Sequence, residues 1–209
     1  SHVLCITLCI AFYKMSRTIN YNFYHWGPFL YFTNLEKKEV DKIKKLCSKK
    51  SQDYREHLAG LIKHEHKIDI KKLFPIIAPY VESYAQGYTQ YMAKPLGKNI
   101  ELISAWVNYM VKGESNPLHS HDEDLSFVIY TKVPEKLREE YFATKGNAKP
   151  GMINFVISMG KDESFIKEHS FFPEVGSFFI FPASLHHYVN GFQCEGERIS
   201  ISGNLKISK

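Results

Sequence analysis

From Gly97 onward the chain changes texture, and that change limits its possible folds more than any other feature. Short runs dominated by Val, Ile, Phe, Tyr and Trp follow one another with turn-forming residues between them: Ile100 to Val111, Leu125 to Lys132, Met152 to Ser158, Ser177 to Phe181 and Arg198 to Ile207. Runs this short and this closely spaced pair antiparallel and close up as a barrel or sandwich. The residues before Gly97 read differently. Thr33 to Lys50 spaces Leu35, Val40, Ile43 and Leu46 at near-helical intervals, with Thr33 or Asn34 as N-cap, and predicts an amphipathic surface helix. Its lysines alternate with Glu36, Glu39 and Asp41, as on a solvated face rather than a phosphate-binding one. A second helix is expected from about Pro79 to Met92, with Pro75 and Pro79 marking its start. Its Tyr80, Tyr84, Tyr88 and Tyr91 fall on one face as a packing stripe. The expectation is a single domain over 1–209. Residues 1–96 supply an N-terminal extension and supporting helices, and residues 97–209 the mainly β core, with the helices packed outside it.

Composition narrows the class. Hydrophobic residues are 44% and charged residues 23% of 209, which excludes a disordered chain, a collagen-like fibre and a coiled coil. A formal net charge of +5, dispersed along the chain, does not argue for a nucleic-acid partner. Val3 to Tyr13 is apolar but short of the roughly 20 residues a membrane span needs. It has no basic residue ahead of it and no small-x-small cleavage site after it, so it reads as a first element of the domain or as an extension upstream of Met15. Cys5, Cys9, Cys47 and Cys194 lack a second Cys pair or a nearby His to complete a zinc site. Free thiols in a reducing compartment are expected, which points to a cytoplasm.

The ten histidines carry the chemistry. His64-Glu65-His66 lies in a polar segment between two Lys residues, with no apolar neighbours that suggest a pocket, and reads as a solvated loop. His119-Ser120-His121-Asp122-Glu123 lies between two predicted strands. In extended backbone, residues 119, 121 and 123 point to one side at intervals of about 7 Å, suited to closing on one cation. His186-His187 follows the apolar strand Gly176 to Pro182. A distant His joining a local His-x-His or His-x-acid pair builds a three-ligand face with coordination positions left open. A closed structural zinc site would use similar residues. Arg198 separates the two cases: it opens an otherwise apolar strand eleven positions after His187, where an unpaired guanidinium would be costly and a carboxylate is the fitting partner.

Several residues in this order then form a recognisable pattern: Trp106-Val107-Asn108, Gly113, His119-Ser120-His121, Leu125-Ser126, Tyr130, Gly176, Phe181-Pro182, His187-Tyr188-Val189 and Glu197 to Asn204. Over roughly Trp106 to Asn204, and more loosely at Trp26-Gly27-Pro28 and Leu58-Ala59-Gly60, the chain resembles the iron(II)- and 2-oxoglutarate-dependent dioxygenases. Within them it is most similar to a phage and bacterial branch related to prolyl hydroxylases. The resemblance implies a double-stranded β-helix, the small cupin-like jelly-roll barrel, with iron near its open end. His119 and His187 would be iron ligands. Arg198 with Ser200 would hold the distal carboxylate of 2-oxoglutarate, Tyr130 would reach the same carboxylate, and Asn108 or Tyr109 would line the floor.

One departure from the pattern concerns the third ligand. Most of the superfamily has His-x-Asp or His-x-Glu, whereas this chain has His119-x-His121. A three-histidine set of His119, His121 and His187 is preferred here, with Glu123 as the alternative third ligand. The implied cofactors are iron(II), 2-oxoglutarate as cosubstrate, dioxygen, and ascorbate as reductant in vitro. The implied reaction decarboxylates 2-oxoglutarate to succinate and hydroxylates a substrate, first a prolyl or other protein side chain by kinship, with free amino acids or small metabolites as alternatives and no nucleic-acid or membrane partner. The segments Pro134 to Pro150 and Lys161 to Ser170, with the Tyr-rich helix, are expected to shape the entry groove. Two rivals remain: a non-enzymatic jelly-roll binding or virion protein, and a three-histidine cupin dioxygenase that uses no 2-oxoglutarate.

Overall fold

A computed structural model describes residues 27–157 and 168–208. Its strands are β1 (Tyr31–Asn34), β2 (Glu65–Lys67), β3 (Asn99–Val111), β4 (Asn116–His119), β5 (Leu125–Lys132), β6 (Ile153–Val156), β7 (Glu168–Phe171), β8 (Ser177–Pro182), β9 (His186–Val189) and β10 (Glu197–Ser208). Its helices are α1 (Lys37–Lys44), α2 (Ile70–Met92) and α3 (Leu137–Ala143). The strands form a six-stranded sheet in the order β1-β8-β5-β10-β3-β2 and a four-stranded sheet in the order β4-β9-β6-β7, with every pairing antiparallel. The two sheets make a jelly roll, and they do not close into a continuous barrel.

Side-chain alternation divides the major sheet into two faces. Tyr109, Val107, Phe127, Ile129, Ile201 and Phe178 point outward into an apolar layer with Val40 and Ile43 of α1 and Leu73, Ile77 and Val81 of α2. Met110, Val128, Tyr130, Phe179 and Phe181 point inward to meet Ile153, Phe155 and Val189 of the minor sheet. Gly203 of β10 sits where a methyl group would come within 2.5 Å of the Ser104 carbonyl oxygen and 2.6 Å of the Phe127 ring, so only glycine admits that ring to the outward layer. The expected aromatic stripe is a packing surface: Tyr84 is buried, and Phe29 meets Tyr84, Tyr88 and Tyr91 at ring distances of 5.4, 5.4 and 5.7 Å.

The five predicted β segments are strands, with ends shifted by a residue or two. Both helix boundaries differ from expectation. α1 begins after Glu36, whose backbone N–H donates to Glu39 Oε2 at 3.0 Å, because Thr33 and Asn34 are already paired with Phe178 and Ser177 in the sheet. α2 begins nine residues before Pro79: the Asp69 side chain caps it by accepting from Lys71 N and Lys72 N, and it runs through both prolines. Pro75 and Pro79 both lie on its exposed side, where water can take the carbonyls they leave free, while Leu73 and Ile77 anchor the buried side. Two strands of the major sheet, β1 and β2, come from before residue 97. The apolar run Val3 to Tyr13, Cys5, Cys9 and most of Lys161 to Ser170 lie outside the described residues. Cys47 and Cys194 are free thiols. Among the described residues no helix is long and apolar enough to cross a membrane.

Candidate functional site

Three of the predicted residues converge between the sheets. β4 pairs with β9 so that His119 lies directly opposite His187. His121 follows β4 and is pinned by its backbone N–H donating to the Ala183 carbonyl at 2.9 Å. The ring centroids stand 4.3 Å apart for His119 and His187, 5.1 Å for His119 and His121, and 5.4 Å for His121 and His187. One ring nitrogen from each can be chosen so that all three lie within 4.8 Å of one another, and no other His, Cys, Asp or Glu of the described residues joins them. Glu123 is not in this cluster but lines a groove beside it. His186 is exposed.

The local hydrogen bonds decide which nitrogen faces inward. His119 Nδ1 lies 2.7 Å from the Pro117 carbonyl oxygen and His187 Nδ1 lies 2.9 Å from that of Leu185. A carbonyl only accepts, so each Nδ1 carries the proton and each neutral ring keeps its lone pair on Nε2. Burial, then mutual repulsion among the rings, pushes the His187 imidazole down to about 3 and the His121 imidazole to about 4, and burial also lowers His119. All three are therefore neutral at neutral pH, the state in which an imidazole ligates a metal.

Across a cavity of about 160 Å³ stands the inward face of the major sheet. Register places Tyr130 of β5, Ser200 of β10, Asn108 of β3 and Glu65 of β2 in one lateral row, each the Cα partner of the next. Asn108 Nδ2 donates to Ser200 Oγ at 3.3 Å and Ser202 Oγ at 3.2 Å. Arg198 precedes Ser200 on the same face and is 2% exposed. Its guanidinium lies 5.5 Å from the Tyr130 ring centroid, and Nη1 donates to the Gly151 carbonyl at 3.1 Å. Arg198 Nε and the Tyr130 hydroxyl are both buried without a hydrogen-bond partner among the described residues. A buried donor left in that state costs a kcal/mol or more, on the order of 1–3, unless an acceptor arrives. Burial lowers the guanidinium and raises the Tyr130 phenol, so both are driven toward an incoming anion.

The expected solvated loop at His64-Glu65-His66 is overturned. Glu65 to Lys67 form the edge strand β2, His64 is exposed, and Glu65 is 1% and His66 9% exposed. No alternation of apolar and polar residues marks this strand; it exists because β3 is long enough to template an edge beside it. Glu65 was thus missed as a cavity residue, as were His57, Leu58 and Asn116.

Residues 104–204 match the family described as "Putative 2OG-Fe(II) oxygenase". No curated protein sequence matches the chain. Among solved structures it is similar to a Pseudomonas putida prolyl-4-hydroxylase, at 15% identity over 87% of this chain and 94% of that one, with a TM-score of 0.58. It is also similar to the viral collagen prolyl hydroxylase of Paramecium Bursaria Chlorella virus-1 in its 2OG complex, at 13% identity over 88% and 98%, TM-score 0.57. HygX from Streptomyces hygroscopicus, with nickel and 2-oxoglutarate bound, matches at 10% identity over 86% and 83%, TM-score 0.52. At these identities the likeness is one of fold.

Proposed function

Starting from a chain whose residues 104–204 belong to the 2-oxoglutarate- and iron(II)-dependent oxygenase superfamily, we propose that it hydroxylates a side chain of a peptide or protein, with proline the first candidate by kinship. The observation that carries the oxygenase reading is the pairing, across one cavity, of three neutral imidazoles with a buried and incompletely partnered arginine.

The donor set suits iron(II). His119, His121 and His187 would hold the metal through ring nitrogens, and the carbonyls of Pro117 and Leu185 fix the tautomer and ring orientation of His119 and His187. Bound there, iron(II) with 2-oxoglutarate and dioxygen supplies the oxidising power to place a hydroxyl on an unactivated carbon. The protein's own part is to bind, orient and exclude water. Arg198 Nε and the Tyr130 hydroxyl give a dicarboxylate's far end two donors, with Ser200 beside them and Asn108 holding the Ser200 and Ser202 hydroxyls in place. Phe181, Ile153 and Val189 wall the cavity with apolar surface. A cytoplasmic setting, where thiols such as Cys47 and Cys194 stay reduced, fits this reading.

An all-histidine set also suits a cupin dioxygenase that uses no 2-oxoglutarate; that reading leaves Arg198 without an anion to bind. The two are separated by measuring succinate from 2-oxoglutarate with iron(II) and ascorbate, and by calorimetry with manganese(II) in place of iron. Arg198→Ala is expected to raise the apparent KM for 2-oxoglutarate by about tenfold or more while manganese binding survives. His187→Ala is expected to weaken manganese binding more than about hundredfold, beyond the effect of losing an outer partner. Absence of 2-oxoglutarate binding in the manganese-loaded protein would overturn the proposal.

A further inference from the structure

Glu65 is the far end of the row that begins at Tyr130, three strand spacings or about 14 Å away. It is the acidic counterpart of Arg198: buried, lining the same cavity, and without use in the cosubstrate site described above. Among the described residues its Oε2 has no hydrogen-bond partner, and the neighbouring Asn116 Oδ1 has none either. Arg55, the nearest cation in charge terms, is engaged by both carboxylate oxygens of Asp53. Gly60 leaves room beside the Glu65 carboxylate on its Oε1 side and beside Asn116: a methyl group there would stand 3.1 Å from Glu65 Oε1 and 3.5 Å from Asn116 Oδ1. Burial, then the nearby Glu114, push the Glu65 carboxyl up to about 7, more than the charge of Arg55 draws it down.

The approach to this end has the same sign. A groove shared with the cavity at His57, Trp106 and His121 continues outward past Asp122 and Glu123, and among the described residues no Lys or Arg lines it. Tyr54, stacked at 5.6 Å on the buried Trp106, gives the groove a half-buried aromatic wall for a passing cation. A chain of net charge +5 thus presents an acidic, aromatic entrance that leads to an unsatisfied carboxylate.

Resting on the oxygenase reading, we infer that the substrate carries a cationic nitrogen, ammonium or guanidinium, which enters by the Asp122–Glu123 groove and seats against Glu65. A cation seated here holds the Glu65 carboxyl in its charged form while a dicarboxylate is drawn to Arg198, so the two buried groups sort cosubstrate from substrate. The cation comes from a basic residue of a polypeptide or from a free basic amino acid.

The test uses the full metal-free chain and calorimetry with acetyl-Gly-Lys-Gly amide, acetyl-Gly-Arg-Gly amide, the norleucine tripeptide of the same length, free L-lysine and free L-arginine. At least one cationic probe is expected to bind about tenfold or more tighter than norleucine, the weight of one charge-assisted hydrogen bond. Glu65→Gln is expected to erase that margin with the norleucine peptide still bound as before, and Glu65→Asp to keep part of it. Preference for the tripeptides over the free amino acids identifies a polypeptide substrate, and the reverse a small one. Equal binding of norleucine and every cationic probe, or a margin that survives Glu65→Gln, overturns the inference. Failure of the oxygenase reading shows separately, as absent succinate formation beside an intact cation margin.

Discussion

On the outward face of the major sheet, Val107, Phe127, Ile129, Ile201 and Phe178 meet α1 and α2 in an unbroken apolar layer. One residue further along the same strands, on the inward face, stand Asn108, Tyr130, Ser200 and Arg198, several of them buried with hydrogen-bonding atoms left over. The backbone is common to both faces, so the difference comes entirely from the two-residue period of a strand. One face lowers the free energy of folding by burying carbon; the other spends part of that stability to hold polar groups ready for ligands.

The contrast makes unequal demands on substitutions. The largest effect is expected on the outward face: Phe127→Ala removes a ring packed 5.9 Å from that of Phe178 and should cost about 3–5 kcal/mol in urea unfolding. On the inward face, Arg198→Met removes a buried, incompletely paired guanidinium. It should leave stability within about 1 kcal/mol of the parent, or raise it, while abolishing tight 2-oxoglutarate binding. If Arg198→Met unfolds as readily as Phe127→Ala, the division between the faces fails.

The smallest effect is a pH dependence with a definite sign. Folding raises the Glu65 carboxyl from the ordinary 4.5 to about 7, so its neutral form stabilises the protein below pH 4.5 and that contribution is lost as pH rises through 7. Glu65→Gln should therefore gain on the order of 1 kcal/mol over the parent at pH 8 and nothing at pH 4, read by urea midpoints at the two values. His187 and His121 act oppositely. Their imidazoles are lowered from 6.5 to about 3 and 4, so the metal-free protein loses stability as pH falls below 6.5, and His187→Ala should flatten that loss.

Much of this could be read in the chain. Five of the eight strands from Asn99 to Ser208 (β3, β5, β6, β8 and β10) announce themselves by β-branched and aromatic runs while β4, β7 and β9 do not, and His119, His121, His187 and Arg198 stand out as residue types that an apolar β region does not carry without a partner. The misreadings share a cause. Pro75 and Pro79 argue locally for a helix start, and the wholly polar stretch around Glu65 argues locally for solvent; in each case a neighbouring element overrules the local preference. α2 is held by its buried face, and β2 by the unpaired edge of β3.

The sequence by itself therefore determined the period of the strands, the alternation that separates the two faces, and which side chains had to find partners, because these follow from covalent spacing and the cost of desolvating a charge. Only the tertiary structure decided the company those side chains keep. Lateral register across β5, β10, β3 and β2 put Tyr130, Ser200, Asn108 and Glu65 in one row, and the pairing of β4 with β9 set His119 against His187. Register joins residues as distant in sequence as Glu65 and Ser200, and it is selected by packing both sheets at once, a quantity that no local window of the chain contains.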